Sequence, residues 1–145
     1  MSNVHLPRVL LGGLIAGLVM NVGEAALHAG LLGRDTEALY KTLNVLPPNP
    51  AQTLPLLIAL AFVMGIVSIW LYAAIYSLDG SRGRSVVMTG VVVWFLAHAW
   101  SGVYMAAGYA GVFTARLAWI PVLWGLLEAT LAVLAGSFVY KPYAR

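Results

Sequence analysis

The sequence predicts an all-α protein, a four-helix antiparallel transmembrane bundle with a short amphipathic surface helix in its first, external loop. Three observations predict it. Of the 145 residues, 61% are hydrophobic and 9% charged, against about 25% charged in soluble domains. A soluble chain of this length could not bury so much apolar surface. Four apolar runs, about 8–32, 54–78, 86–110 and 117–140, are long enough to cross a bilayer, which takes ~20 residues at ~1.5 Å rise each. The few ionisable residues inside these runs gather on single helical faces. The chain reads as one transmembrane domain, with residues 33–53 as its external loop.

The first run, Arg8 to Leu32, is mainly Leu, Val, Ile and Ala but carries Asn21, Glu24 and His28. On a helical wheel Gly13, Gly17, Asn21, Glu24 and His28 fall within an arc of about 80°. A small, polar face of this kind must look at other helices or at water. Gly13 and Gly17 are spaced for a close helix contact. The start MSNVHLPR followed by an apolar run could pass for a signal peptide. The run is too long for one, and Glu24 lies where a cleavage region should be small and neutral, so it is read as a span.

Gly33 is expected to close this helix. In GRDTEALYKTLNVLPPNPAQT, Asp35 is a candidate N-cap, Glu37 and Lys41 form an i,i+4 pair, and Leu39, Leu43 and Leu46 share a side. A short helix on the membrane surface is expected, then an extended segment around PPNP. In the second span Gly65, Ser68 and Tyr72 share a face, and Trp70, Tyr72 and Tyr76 mark its interfacial end. The polar turn Asp79 to Arg84 leads into the third span. There His98 lies near the centre, on a face with Val91, Trp94, Ser101, Gly102 and Met105. In the fourth span Glu128 shares a face with Gly125, Ala129, Ala132 and Gly136, small residues that allow close helix approach. Trp94, Trp100 and Trp124 lie too deep for an interfacial belt and are expected to fill the bundle core.

Charge sets the topology. Arg8, Arg82, Arg84, Lys141 and Arg145 fall on one side, and Arg34, Lys41 and Arg116 on the other. The positive-inside rule then puts both termini in the cytoplasm. The net charge is +3, but no basic patch forms, so no nucleic-acid partner is expected. The partners expected are the lipid bilayer and either further copies of the chain or a larger membrane complex. The absence of cysteine excludes disulfides, thiolate metal sites and thiol catalysis.

Depth brings the polar residues together. Counted from the middle of each span, His98 and Glu128 lie within ~2 Å of the midplane, Glu24 ~6 Å outward and His28 ~12 Å outward. An ionisable side chain at such depth costs ~3 kcal/mol or more. Three readings remain open. In the first, the cluster is structural: Glu24, His98, Glu128 and Asn21 satisfy one another and fix helix packing in a non-catalytic scaffold or accessory subunit. In the second, Asn21, Glu24, His28, Ser68, Tyr72, His98, Ser101 and Glu128 supply a polar site for a proton, a cation or a small molecule. In the third, Glu24, His28, His98 and Glu128 hold a metal ion through a mixed nitrogen and oxygen set. No cofactor is otherwise expected; a haem between His28 and His98 would need ligands at one height, and the count separates them by ~10 Å. No phosphate loop, nucleophile elbow or HExxH occurs, and no catalytic residue is assigned.

AGLVMNVGE in the first span, WLYAAI closing the second and WGLLEATLAVLAGSFVYK in the fourth resemble a group of small bacterial four-helix membrane proteins without an assigned function. The resemblance covers most of the chain. It implies four spans and a bacterial inner membrane, and it carries no activity.

Overall fold

The structure, a computed structural model, describes residues 5–140. It is all-helical: α1 (Leu6–Leu31), α2 (Gly33–Leu43), α3 (Pro50–Asp79), α4 (Arg82–Gly108) and α5 (Ala115–Ser137). All but α2 are long and apolar enough to cross a membrane. Lys141 and Arg145, which the charge count groups with Arg8, lie outside the described residues.

The ends of the helices follow local chemistry. Pro7 occupies the first turn of α1, where its missing N–H costs nothing. Asn49 caps α3, its Oδ1 accepting from Ala51 N–H at 3.0 Å, and Pro50 opens the helix. The second span therefore begins four residues before the expected Leu54. It ends at Gly80, whose φ of 69° is open to glycine but strained for other residues, and Ser81 completes the turn into α4. Thr114 caps α5 through Leu117 N–H at 3.3 Å.

Two expectations about the first loop are corrected. Gly33 does not close α1; it is the first residue of α2, because the chain turns only at Leu32. Asp35 is not the N-cap. It sits in the first turn of α2, where its carboxylate accepts from Arg116 Nε at 3.3 Å, tying α2 to the start of α5. Glu37 and Lys41 do pair, at 2.7 Å, and the hydrogen bond from Lys41 holds the Glu37 carboxyl below its ordinary range. No residue of α2 is buried.

The interior is built from small side chains and the exterior from large apolar ones. Gly12, Gly13, Ala16 and Gly17 of α1, Gly65 and Ser68 of α3, and Gly125, Ala129, Ala132 and Gly136 of α5 are buried. Leu14, Leu18, Leu57, Leu60, Leu123 and Leu127 point outward. Lipid is as apolar as leucine, so helices in it associate through close backbone approach rather than by hiding leucines. α1 packs against α3 and α5, and α4 against α5 and α3. The closest approach is backbone to backbone. A methyl group on Gly65 would collide with Gly13 O and Gly17 N, and one on Gly12 would lie 2.7 Å from Gly136 O.

α1 and α4 each contain a π-helical turn, Ala26–Leu31 and Phe95–Ala99. The wide turn in α4 corrects the expected His98 face. It inserts an extra residue into the ladder, so the faces before and after it are offset. Val91, Ser101 and Met105 are exposed rather than buried with His98. Trp100, expected in the core, is 67% exposed on the outer surface. Trp94 does turn inward, and its indole N–H donates to Val122 O at 2.7 Å.

Candidate functional site

Three helices deliver Glu24, His98 and Glu128 to one place. One donor atom from each lies within 4.8 Å of the other two. Glu128 is buried and the other two are half-buried. Each occupies a position that local structure prepares. Glu24 sits at the end of the regular α-helical part of α1, just before its π turn. His98 lies inside the π turn of α4. Glu128 lies in an unbroken stretch of α5, on the same face as Gly125 and Ala129.

Two glycines make room for these side chains. A methyl group on Gly23 of α1 would lie 2.7 Å from the carboxyl carbon of Glu128. One on Gly125 of α5 would lie 2.7 Å from Nδ1 of His98 and collide with the ring carbons. Gly125 therefore does more than bring helices together, as its spacing suggests; it leaves a slot for an imidazole from α4. Gly23 carries no sequence signal that separates it from the other glycines of α1.

The hydrogen bonds at the site are few. His28 Nε2 meets Glu24 Oε2 at 3.0 Å along the outer turn of α1. Trp124 donates its indole N–H to Glu128 Oε2 at 2.9 Å. The sequence points to Trp124 only as a space-filling residue; its place one turn before Glu128, at i,i+4, is the signal that marks it as a partner. Among the described residues, no hydrogen bond reaches the His98 ring. Glu24 interacts through space with both His28 and His98, and Glu128 with Glu24 and His28. The acids and imidazoles thus form one electrostatic unit.

The other candidates lie elsewhere. Asn21 donates to Gly17 O at 2.9 Å and to Ile58 O at 3.4 Å, so it links α1 to α3 through backbone carbonyls. Ser68 is fully buried and turns back to Met64 O at 2.7 Å. Tyr72 is buried among Tyr76 and Tyr140, with ring centroids 5.7 and 6.0 Å away. That group belongs to the end of the molecule where Arg82 reaches Ser137 Oγ at 3.2 Å and stacks on Phe138 at 3.9 Å. Ser101 is exposed and bonded to Ala97 O and His98 O of its own helix. None of Asn21, Ser68, Tyr72 or Ser101 shares the close approach of Glu24, His98 and Glu128.

A cavity of about 760 Å³ lies beside α2; Glu24, His98 and Glu128 are not among its lining residues, and it comes near them only through His28. His28, Glu37, Tyr40 and Lys41 are among its lining residues. His28 faces this cavity on one side and the Glu24 carboxylate on the other, with its side chain 60% exposed.

The fold and the site together define a class: an all-helical chain with four helices fit to cross a membrane and a Glu–His–Glu group between three of them. No protein-family model, curated protein or solved structure matches the chain.

Proposed function

We propose that this chain is a multi-pass bacterial inner-membrane protein that binds a cation, the proton included, at Glu24, His98 and Glu128. The observation that carries the reading is the convergence of three ionisable groups that do not satisfy one another. His98 has no hydrogen-bond partner among the described residues, and the Glu24 and Glu128 carboxyls are held by His28 and Trp124 rather than by each other or by His98. Groups placed only to fix packing are expected to be paired within the cluster, where a fully satisfied network rigidifies the core. The partial exposure of Glu24 and its contact with the cavity-lining His28 support an approach from that side.

The topology of this reading is an antiparallel bundle with cytoplasmic termini and α2 on the outer surface. Arg82 meeting Ser137 and Arg116 meeting Asp35 support the antiparallel packing, an α2 that buries nothing supports its surface position, and the distribution of Lys and Arg supports the cytoplasmic termini. The site then opens outward. The test uses the full chain in lipid nanodiscs. Proton uptake is followed by potentiometric titration, and binding of sodium, calcium, zinc and tetramethylammonium by calorimetry. At least one cation or a coupled proton uptake is expected in the wild type, and is lost in the Glu24→Gln/Glu128→Gln double variant. Identical titrations for both proteins, with no cation bound, overturn the reading.

A second reading is favoured by the Glu24–His28 and Trp124–Glu128 contacts, which do satisfy individual carboxyls. It makes the chain a scaffold or accessory subunit, as an oligomer or beside a larger complex, with the polar group as a packing device. In that case the same double variant loses stability and no binding.

A further inference from the structure

We infer that the cation held at this centre is a divalent transition metal of the zinc, iron or manganese kind, ligated by Glu24, His98 and Glu128. The inference rests on the cation-binding reading and names its occupant.

Three observations carry it. The first is size. Donor atoms all within 4.8 Å of one another surround a point and leave no space between them for a molecule. In a tetrahedral site with bonds of about 2.1 Å the ligand atoms stand about 3.4 Å apart, so a small rotation of each side chain closes the set. The second is donor type. Calcium and magnesium favour all-oxygen cages, whereas an imidazole nitrogen beside two carboxylates suits zinc, iron or manganese. The third is charge. Two carboxylates and two neutral imidazoles, His28 included, carry two negative charges, and a divalent ion makes the group neutral. A monovalent ion would leave one charge uncompensated there, at high cost.

The surroundings are built for the same three side chains. Gly23 and Gly125 clear the volumes that Glu128 and His98 occupy. Trp124 holds one oxygen of Glu128 and His28 holds one oxygen of Glu24, as outer groups commonly orient carboxylate ligands. His28, which contacts Glu24 at 3.0 Å, also lines the cavity beside α2 and is the nearest further donor. A ligand from water, or His28 itself after leaving Glu24, completes the set.

The experiment takes the full chain, free of any affinity tag, chelator-treated and returned to nanodiscs. Cobalt(II) is titrated as a visible probe, then displaced with zinc, and calcium serves as the oxygen-preferring control. One cobalt per chain is expected, with visible bands typical of a nitrogen-containing site of low coordination number. Zinc displaces it, and calcium does not at tenfold excess. His98→Gln, Glu24→Gln and Glu128→Gln each weaken binding about 100-fold or more, judging from the 10- to 100-fold lost when only outer-shell partners are changed. His5→Gln leaves it unchanged, and circular dichroism verifies that every variant stays helical. Absence of stoichiometric cobalt and zinc binding overturns the inference, as does binding that survives His98→Gln and Glu128→Gln. If these metals fail but protons or monovalent cations bind through Glu24 and Glu128, the metal is wrong and the cation-binding reading stands. If nothing binds, both fall.

Discussion

The His98 ring of α4 stands directly over Gly125 of α5, so close that a methyl group on that glycine would lie 2.7 Å from His98 Nδ1. The ring cannot keep this position beside any other residue. Gly125→Ala therefore forces the imidazole out of the site while leaving every ionisable group in the chain. Overpacking of this kind costs about 1–3 kcal/mol. We expect a modest fall in the thermal midpoint and loss of cation binding, read by tryptophan emission and by calorimetry on the same sample. Gly23→Ala should act more mildly on stability, because it presses on the flexible end of Glu128 rather than on a ring.

On the cation-binding reading, Trp124 positions Glu128 through its 2.9 Å bond. Partners that orient a metal-ligating carboxylate typically matter about 10- to 100-fold in affinity. Trp124→Phe keeps most of the packing volume and removes the donor. Binding should weaken about tenfold or more. A purely structural tryptophan would instead lower the thermal midpoint and leave the affinity of the folded protein unchanged.

Two other glycines separate packing from chemistry. Gly65 faces the backbone of α1 at Gly13 and Gly17, where neither side can yield. Gly65→Ala should cost about 3 kcal/mol or prevent folding, since helix axes must part. Gly83, in the first turn of α4, meets nothing within 4 Å. Gly83→Ala should be neutral or stabilise by up to about 1 kcal/mol, because alanine loses less backbone freedom in a helix. Denaturation of both variants in the same detergent checks the contrast.

Much of this could be read from the chain. Length and apolarity identify the four helices fit to cross a membrane, since lipid leaves backbone groups few alternatives to helix. Asn49-Pro50 already signals the early start of α3, though the hydropathy of Leu54 onward hides it. The wheel of α1 places Glu24 toward its neighbours, and depth counting brings it near His98 and Glu128. The wheel fails where the helix is not regular. FLAHA and ALHAGL contain no proline or other mark of a π turn, yet each turn offsets the residues beyond it. That offset exposes Ser101 and Met105, and it accompanies a His28 that is open to the cavity rather than enclosed. The slots at Gly23 and Gly125 are illegible for another reason. A wheel shows which face a glycine occupies, but the side chain that fills its space comes from a different helix.

The claim on which the account turns is that Glu24 and Glu128 are kept for what they bind and not for the packing they secure. The thermal midpoint of the chelator-treated Glu24→Gln/Glu128→Gln protein, compared with identically treated wild type at pH 7, tests this directly. Without a cation, two nearby carboxylates repel, and neutralising both should leave the midpoint at or above that of the wild type, in keeping with the usual trade between site and stability. If instead the charge-assisted bonds to His28 and Trp124 hold the bundle together, weaker amide bonds will lower the midpoint, and that result would contradict the account.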